Sequence, residues 1–323
     1  MKKTIGLVLA GAMVLSLAAC GQGNGGSAQD DGTTFRIGGI GPLTGNNAIY
    51  GNAVMNGAQM AVDEINADGG INGVQLEFDF QDDESDAERA VNAYNQLKDW
   101  GMDMLVGTTT SSPCEAVVAR SNEDNMFQIT PSATSVNSIQ YENACRMCFS
   151  DPSQGTASAD YIAENGLASK IGIIYDSSDT YSSGIASAFE SEAQTKGLEI
   201  VSKEAFTGES NTDFSVQLQK AKDAGAELLF LPIYYTQTAL ILAQADTIGI
   251  EPLIFGSDGF DGILDVDNFD KSLAEGVMFL TPFSTNSTDE LTQNFVQKYE
   301  EQFGGTPNQF AADAYDSVYV IKQ

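Results

Sequence analysis

Between Leu105 and Thr134 the chain twice runs from an apolar strand into a cluster of small polar residues. Thr108-Thr109-Thr110-Ser111-Ser112 follows Leu105-Val106-Gly107, and Pro131-Ser132-Ala133-Thr134 follows Met126-Phe127-Gln128-Ile129. Hydroxyls and free backbone N–H groups at the carboxyl ends of parallel strands can hold an anion without a cationic side chain, and a carboxylate is the expected guest. Either turn alone would pass for ordinary helix capping, which Ser and Thr favour. Both together, one αβ repeat apart, point to a site. Farther along, Asp258 follows the apolar strand Leu253-Ile254-Phe255 and Gly256-Ser257. A carboxylate there either meets a ligand ammonium or caps the next turn. Asp179-Thr180-Tyr181 after Ile174-Tyr175, and Tyr234-Tyr235 after Leu231, also stand just past strand ends and suit the wall of a ligand cleft.

The chemistry these residues could support is bounded by what is missing. The 323 residues contain no histidine, so the usual general base of Ser and Cys hydrolases and the commonest metal ligand are both absent. An amide hydrolase is the enzyme reading this disfavours, and no enzyme is expected. Cys145-Arg146-Met147-Cys148 has metal-knuckle spacing, but one such pair without a second is a weak zinc signal, and neither metal nor cofactor is expected. A disulfide between Cys114 and Cys145 or Cys148 is the expectation for a protein outside the cytoplasm. Forty-five acids against 15 bases give a net charge of −30. Nucleic-acid binding, which rests on positive charge, is excluded. The acidic surface serves solubility and names no partner.

These site residues require strands to carry them. Phe35–Ile40 reads as a strand leading through Gly41-Pro42-Leu43-Thr44-Gly45 into a helix from about 52 to 67. Its glycines do not complete G-x-G-x-x-G, because Thr44 stands where the third is needed, so the dinucleotide reading fails. Strand 76–80 and a helix opened by a Ser85–Glu88 capping box follow. Adding the two strands described above gives βαβαβαβ, an open parallel sheet with helices on both faces. After Asp151-Pro152-Ser153-Gln154-Gly155 the pattern restarts: helix 156–165, then strands at 171–175, 199–205, 228–231 and 253–255 separated by helices. The expected fold is α/β, two Rossmann-like lobes with parallel sheets joined by hinge crossovers, the cleft lying between them. Strand 277–280 leads into a link back to the first lobe, 281–284, and two helices, 289–303 and 309–321.

The first residues belong to neither lobe. Lys2-Lys3, the apolar run Ile5–Leu17 and Leu17-Ala18-Ala19-Cys20 have the form of a secretory signal, the run being short for a spanning helix. Leu-Ala-Ala-Cys resembles the bacterial lipobox, which implies cleavage before Cys20 and lipid on its sulfur. Gly21–Gly32 reads as a flexible tether. The organisation expected is therefore 1–19 signal peptide, 20–34 lipidated tether, 35–151 with 283–323 as the first lobe, and 152–282 as the second. Since the chain stops in mid-helix at Gln323, a fragment of a longer protein is a natural reading.

Taken together, Gly41-Pro42-Leu43-Thr44-Gly45 with Tyr50-Gly51, Asp68-Gly69-Gly70-Ile71-Asn72-Gly73, Leu105-Val106-Gly107 with Ser111-Ser112, Pro131-Ser132-Ala133-Thr134, Asp151-Pro152-Ser153-Gln154-Gly155 and Gly256-Ser257-Asp258-Gly259 resemble the branched-chain amino-acid-binding proteins. These are extracytoplasmic solute-binding subunits of ABC importers with the type I periplasmic fold, and the likeness runs from Ile37 to Tyr319. It implies that Ser111 and Thr134 bind a ligand α-carboxylate. Asp258 and the Ser132 carbonyl would bind the ammonium, with Ala133 in the same turn, and Tyr50, Tyr181, Tyr234 and Phe310 would line the cleft. Leucine-binding members carry glutamate at the Asp258 position and glycine at that of Ser132, so the resemblance implies an amino acid, branched-chain or related, more firmly than leucine. The implied partners are that ligand, the permease subunits of an importer, and the membrane through the N-terminal lipid. A sensory domain serving a signalling receptor would share the same fold and site.

Overall fold

The computed structural model describes residues 34–208 and 211–323. The signal, Cys20 and nearly all of the tether lie outside the described residues. Two five-stranded parallel sheets organise the chain. The first contains β1 (Thr34–Gly41), β2 (Gln75–Asp82), β3 (Met104–Gly107), β4 (Phe127–Thr130) and β5 (Ala144–Arg146) in the order β2-β1-β3-β4-β5. The second contains β6 (Lys170–Asp176), β7 (Glu199–Phe206), β8 (Leu228–Leu231), β9 (Leu253–Gly256) and β10 (Met278–Phe279) in the order β10-β9-β8-β6-β7. Counting strands within each sheet, both orders are 2-1-3-4-5. The chain thus builds the same doubly wound unit twice, each reversing direction beside its first strand, where an α/β sheet opens its crevice.

Helices cover both faces. They are α1 (Ala48–Ala67), α2 (Ala87–Trp100), α3 (Ser111–Glu123), α4 (Asp151–Glu164), α5 (Thr180–Lys196), α6 (Ser215–Asp223), α7 (Tyr235–Ile248), α8 (Glu290–Phe303) and α9 (Gln309–Lys322). Central strands sandwiched this way read as continuous apolar runs: all four residues of β8, Leu228-Leu229-Phe230-Leu231, are fully buried. Helix α9 lies along α1 so closely that a Cβ on Gly57 would sit 2.0 Å from the Ala311 carbonyl oxygen. Only glycine admits that approach, and it brings Phe310 onto Tyr50.

Several element boundaries differ from the sequence expectation for local reasons. Helix α1 begins at Ala48, not near 52, and so takes Tyr50 into its first turn. At α2 the cap is Asp86, whose side chain accepts the Arg89 N–H at 2.9 Å, rather than Ser85 with Glu88. Helix α4 starts at Asp151: Ser150 caps it and Pro152 occupies its first turn, where the missing N–H costs nothing. The stretch read as a break between lobes is therefore a helix N-terminus carrying Asp151 and Gln154. Strand β5, three residues long, passes through the segment read only for its cysteines.

The expected disulfide is not formed: Cys114, Cys145 and Cys148 are all free. Cys114 points under α3, taking the Gln128 amide at 3.4 Å and facing the Ser138 carbonyl at 3.9 Å, while Cys145 is held in β5 by pairing with β4. Among the described residues no group of three or more Cys, Asp or Glu is arranged to hold a metal ion, and no helix is long and apolar enough to cross a membrane.

Candidate functional site

A small, nearly closed cavity of about 10 Å3 lies where the carboxyl ends of the two sheets meet. Its walls are Tyr50, Thr109, Thr110, Ser111, Ser132, Tyr181, Tyr234, Asp258, Gly259 and Phe310. Seven of the nine ligand-site residues expected from the sequence are there. Ala133 and Thr134 are fully buried and do not line it. Thr109 and Thr110 belong to the hydroxyl-rich turn read from the sequence as an anion site, although neither is named there as a ligand residue by itself, and Gly259, quoted only within a motif, contributes backbone alone.

On the first sheet's side, the turns after β3 and β4 are clipped together. Thr130 Oγ1 donates to the Thr108 carbonyl at 2.7 Å and accepts the Ala133 N–H at 2.9 Å, and Ser132 Oγ donates to the Thr109 carbonyl at 2.7 Å. Gln128 ties β4 to the Gly107 carbonyl at 2.9 Å, and Arg146 holds the Thr134 and Ser135 carbonyls at 2.8 and 2.9 Å. Ser111 opens α3, where backbone N–H groups have no partner within the helix and the dipole favours negative charge. Its Oγ accepts the Ser135 N–H at 3.2 Å, leaving its own proton to donate. The hydroxyl of Thr110, which stands at the start of α3, is buried with no hydrogen-bond partner among the described residues. Unspent donors at a helix N-terminus make this side an anion receptor.

The opposite side carries a carboxylate. Asp258 is 2% exposed and has no ion-pair partner among the described residues. Tyr181 donates its hydroxyl to Asp258 Oδ1 at 2.7 Å while accepting the Gly259 N–H at 2.9 Å, and the Asp258 N–H reaches Gln154 Oε1 at 3.0 Å. Asp258 therefore opens a single 3-10 turn, Asp258–Phe260, with its side chain committed to the cavity rather than to capping. Burial pushes its pKa up to about 6, against the pull of the Tyr181 hydrogen bond. Burial likewise raises Asp151, at the start of α4, to about 8. Tyr181, buried beside the Asp258 charge, stays a protonated donor, its pKa raised well above the ordinary phenol value. Among the described residues no Lys or Arg lines the cavity.

Aromatic rings close the remaining walls. Tyr50 stacks on Phe310 with centroids 4.2 Å apart and Tyr181 on Tyr234 at 4.7 Å, the two pairs meeting edge-on between Tyr50 and Tyr234 at 5.7 Å. Tyr50, from α1, also bolts the two halves together: its hydroxyl donates to the Gly259 carbonyl and accepts the Tyr235 N–H at 3.2 Å. Ile49 N–H to Tyr235 Oη at 3.2 Å, Thr236 Oγ1 to the Asn46 carbonyl at 2.7 Å and Gln309 N–H to Asp261 Oδ2 at 2.9 Å complete the bridge. The arrangement is suited to enclosing a small molecule that bears an anionic group at one end and a cationic group at the other.

Comparison with known proteins agrees with this architecture. The sequence profile described as Periplasmic binding protein matches residues 34–323. The Leu/Ile/Val-binding protein homolog 3 of Brucella melitensis is 32% identical over 292 residues, 88% of this chain and 77% of its own. Among solved structures, the branched-chain amino acid transporter substrate binding protein LivJ of Streptococcus pneumoniae, in complex with isoleucine, superposes with a TM-score of 0.81 at 31% identity, covering 90% of this chain and 83% of its own. A solute binding protein of an ABC transporter from Rhodopseudomonas palustris, in complex with 3,4-dihydroxybenzoic acid, shares the fold with a TM-score of 0.79 at 20% identity over 90% of this chain and 80% of its own. Two repeated parallel sheets meeting at a cleft, and a family profile spanning every described residue, place the chain in the periplasmic binding protein family, whose members bind solutes outside the cytoplasm and are not enzymes.

Proposed function

We propose that this protein captures an α-amino acid between its two lobes, 35–151 with 283–323 and 152–282, and delivers it to an ABC permease. Ser111 and the N-terminus of α3 take the carboxylate, with Thr134 buried behind the cavity wall. Asp258 and the Ser132 carbonyl take the ammonium, and Tyr50, Tyr181, Tyr234 and Phe310 wall the rest. The observation that carries the reading is Asp258, a buried carboxylate without a cation partner, sharing one cavity with an anion-receptive helix terminus. The fold does not choose the ligand, since a dihydroxybenzoate sits in a protein of the same fold. The buried acid does, because an ammonium relieves its isolation. Relatives bearing Leu/Ile/Val-binding names, and a neighbour solved with isoleucine, agree with the class. Lipid on Cys20 and the tether to residue 34 would leash the body to the outer face of a membrane, within reach of a permease.

A melting screen tests this reading. The purified body should gain about 2.7 kcal/mol of stability from its amino acid at a hundredfold excess over Kd. Sugars and purines should leave it unmoved. A shift produced only by sugars or nucleosides would refute the assignment.

A further inference from the structure

The inner cavity does not end at its own walls. Thr110 and Tyr234 also line a second, wider cleft of about 400 Å3 at the mouth between the lobes, bounded by the loop before α1 on one side and by Asp176, Asp179 and α7 on the other. No Lys or Arg is among the described residues lining it. It is furnished with acceptors. Gln237, 8% exposed, and Asn47 each present a side-chain oxygen that is buried and without a hydrogen-bond partner, and Thr110, 5% exposed, presents a hydroxyl in the same condition. Two carboxylates, Asp176 and Asp179, line it without an ion-pair partner among the described residues, whereas Glu84 at its rim is held by Arg89. Asp179 accepts the Ser112 hydroxyl at 3.2 Å and caps α5 through the Ser182 N–H at 3.3 Å, so its position is fixed from both lobes. Burial and the neighbouring Asp176 charge raise its pKa to about 6. Buried acceptors left unpaired are costly unless a donor meets them, and the two carboxylates beside them, hydrogen-bonded by Ser178, Ser112 and Ser182, carry negative charge that no ion pair offsets among the described residues.

We infer that the outer cleft is a side-chain subsite for a cationic amino acid: the α-groups seat in the inner cavity, and the side chain passes between Thr110 and Tyr234 to present its ammonium or guanidinium to Gln237, Asn47 and Asp179. This rests on the amino-acid reading of the inner cavity and narrows it. It sets the chain apart from relatives whose names specify Leu, Ile and Val. An aliphatic side chain would leave the unpartnered oxygens of Gln237 and Asn47 unmet and the charge of Asp179 unpaired, while a guanidinium offers five donors and a positive charge to them. The Tyr234 ring at the passage adds a face on which a cation is favoured.

Calorimetric titration of the native protein with L-arginine, L-lysine, L-leucine and L-alanine is the test, repeated on Gln237→Leu and Asp179→Asn, the latter keeping a capping side chain. Arginine or lysine should bind at least tenfold more tightly than leucine. Each variant should reduce that advantage about tenfold while changing alanine affinity less than twofold. If leucine binds as tightly as both cationic amino acids, the inference falls and the amino-acid reading stands; the native protein alone decides this. The inference also falls if either variant weakens alanine as much as arginine. If none of the four binds, the underlying reading fails and takes the inference with it.

Discussion

The turn after β4 and the turn after β9 occupy the same place in two copies of one sheet, each following the fourth strand of its unit. One reads Pro131-Ser132-Ala133-Thr134 and the other Gly256-Ser257-Asp258-Gly259. The first is a knot of hydroxyls and carbonyls braced by Arg146, beside the α3 terminus. The second is an isolated carboxylate held by Tyr181 and Gln154. Topology thus sets where a ligand can sit, and a few side chains set the charge each lobe shows it. A two-lobed body built by repetition can grip a zwitterion because repetition places the turns while the sequence makes them electrostatic opposites.

Breaking the acidic side should cost most. Replacing Asp258 with Ala leaves a buried ligand ammonium unpaired, a loss of about 3 to 5 kcal/mol, more than a hundredfold in calorimetric affinity. The hydroxyl side should cost less, because its work is shared among several donors. Ser111→Ala removes one hydrogen bond to a charged group, about 1.5 to 3 kcal/mol by the same measurement. Equal losses at the two positions would erase the asymmetry argued here.

The bridge between the halves comes next. Tyr50→Phe keeps both ring contacts but strands the Gly259 carbonyl and the Tyr235 N–H in a buried site, and should weaken binding by about 1 to 3 kcal/mol. A calorimetric loss smaller than twofold would show that the Tyr50 hydroxyl does not hold the lobes together.

Acidity should separate the free protein from the complex. Asp258 and Asp151, raised to about 6 and about 8, hold protons in the folded chain at pH values where the unfolded chain has released them. Their burial therefore destabilises the free protein, in full above those values, and this is relieved progressively as pH falls from about 8 for Asp151 and about 6 for Asp258 toward the ordinary value of 3.8. Melting of the ligand-free protein should rise over that range. The extra stability conferred by an amino acid, which needs Asp258 ionised, should shrink below about pH 6. Parallel curves with and without ligand would contradict the role given to Asp258. The smallest effect concerns the cysteines. With Cys114, Cys145 and Cys148 free, thiol counting on unfolded, unreduced material should find three beyond Cys20, and reduction should leave the melting point unchanged. One thiol would restore the disulfide.

Much of this was legible in the chain. Alternating apolar strands and helices predicted a doubly wound unit twice over, because buried parallel strands need continuous hydrophobic runs that few other structures tolerate. Site residues on turns at strand ends, Ser111, Ser132, Asp258, Tyr181 and Tyr234, could be found for the same reason. Tyr50 and Phe310, on helices, came only from resemblance to a family, since an aromatic on a helix face looks like core. The start of α4 was hidden because Asp-Pro reads as a break, although Pro is at home in a first helical turn. The cysteine pairing failed because it depends on distances across β4 and β5 that spacing does not encode. Nothing in the sequence separated Thr134, buried behind the wall, from Ser132, which lines it.

The central claim, that the hydroxyl turns of one lobe take the negative group while Asp258 of the other supplies the charge that takes the positive, is tested most directly by dissecting the ligand. Once the melting screen has identified the tightest amino acid, that compound, its matched 2-keto acid and its matched primary amine are titrated calorimetrically into the native protein and into Asp258→Ala. The account predicts that only the intact amino acid binds tightly, that each fragment loses at least a hundredfold, and that Asp258→Ala weakens the amino acid strongly but hardly changes the keto acid. If the keto acid binds the native protein within tenfold of the amino acid, or if Asp258→Ala weakens both alike, the division of charge between the lobes is wrong.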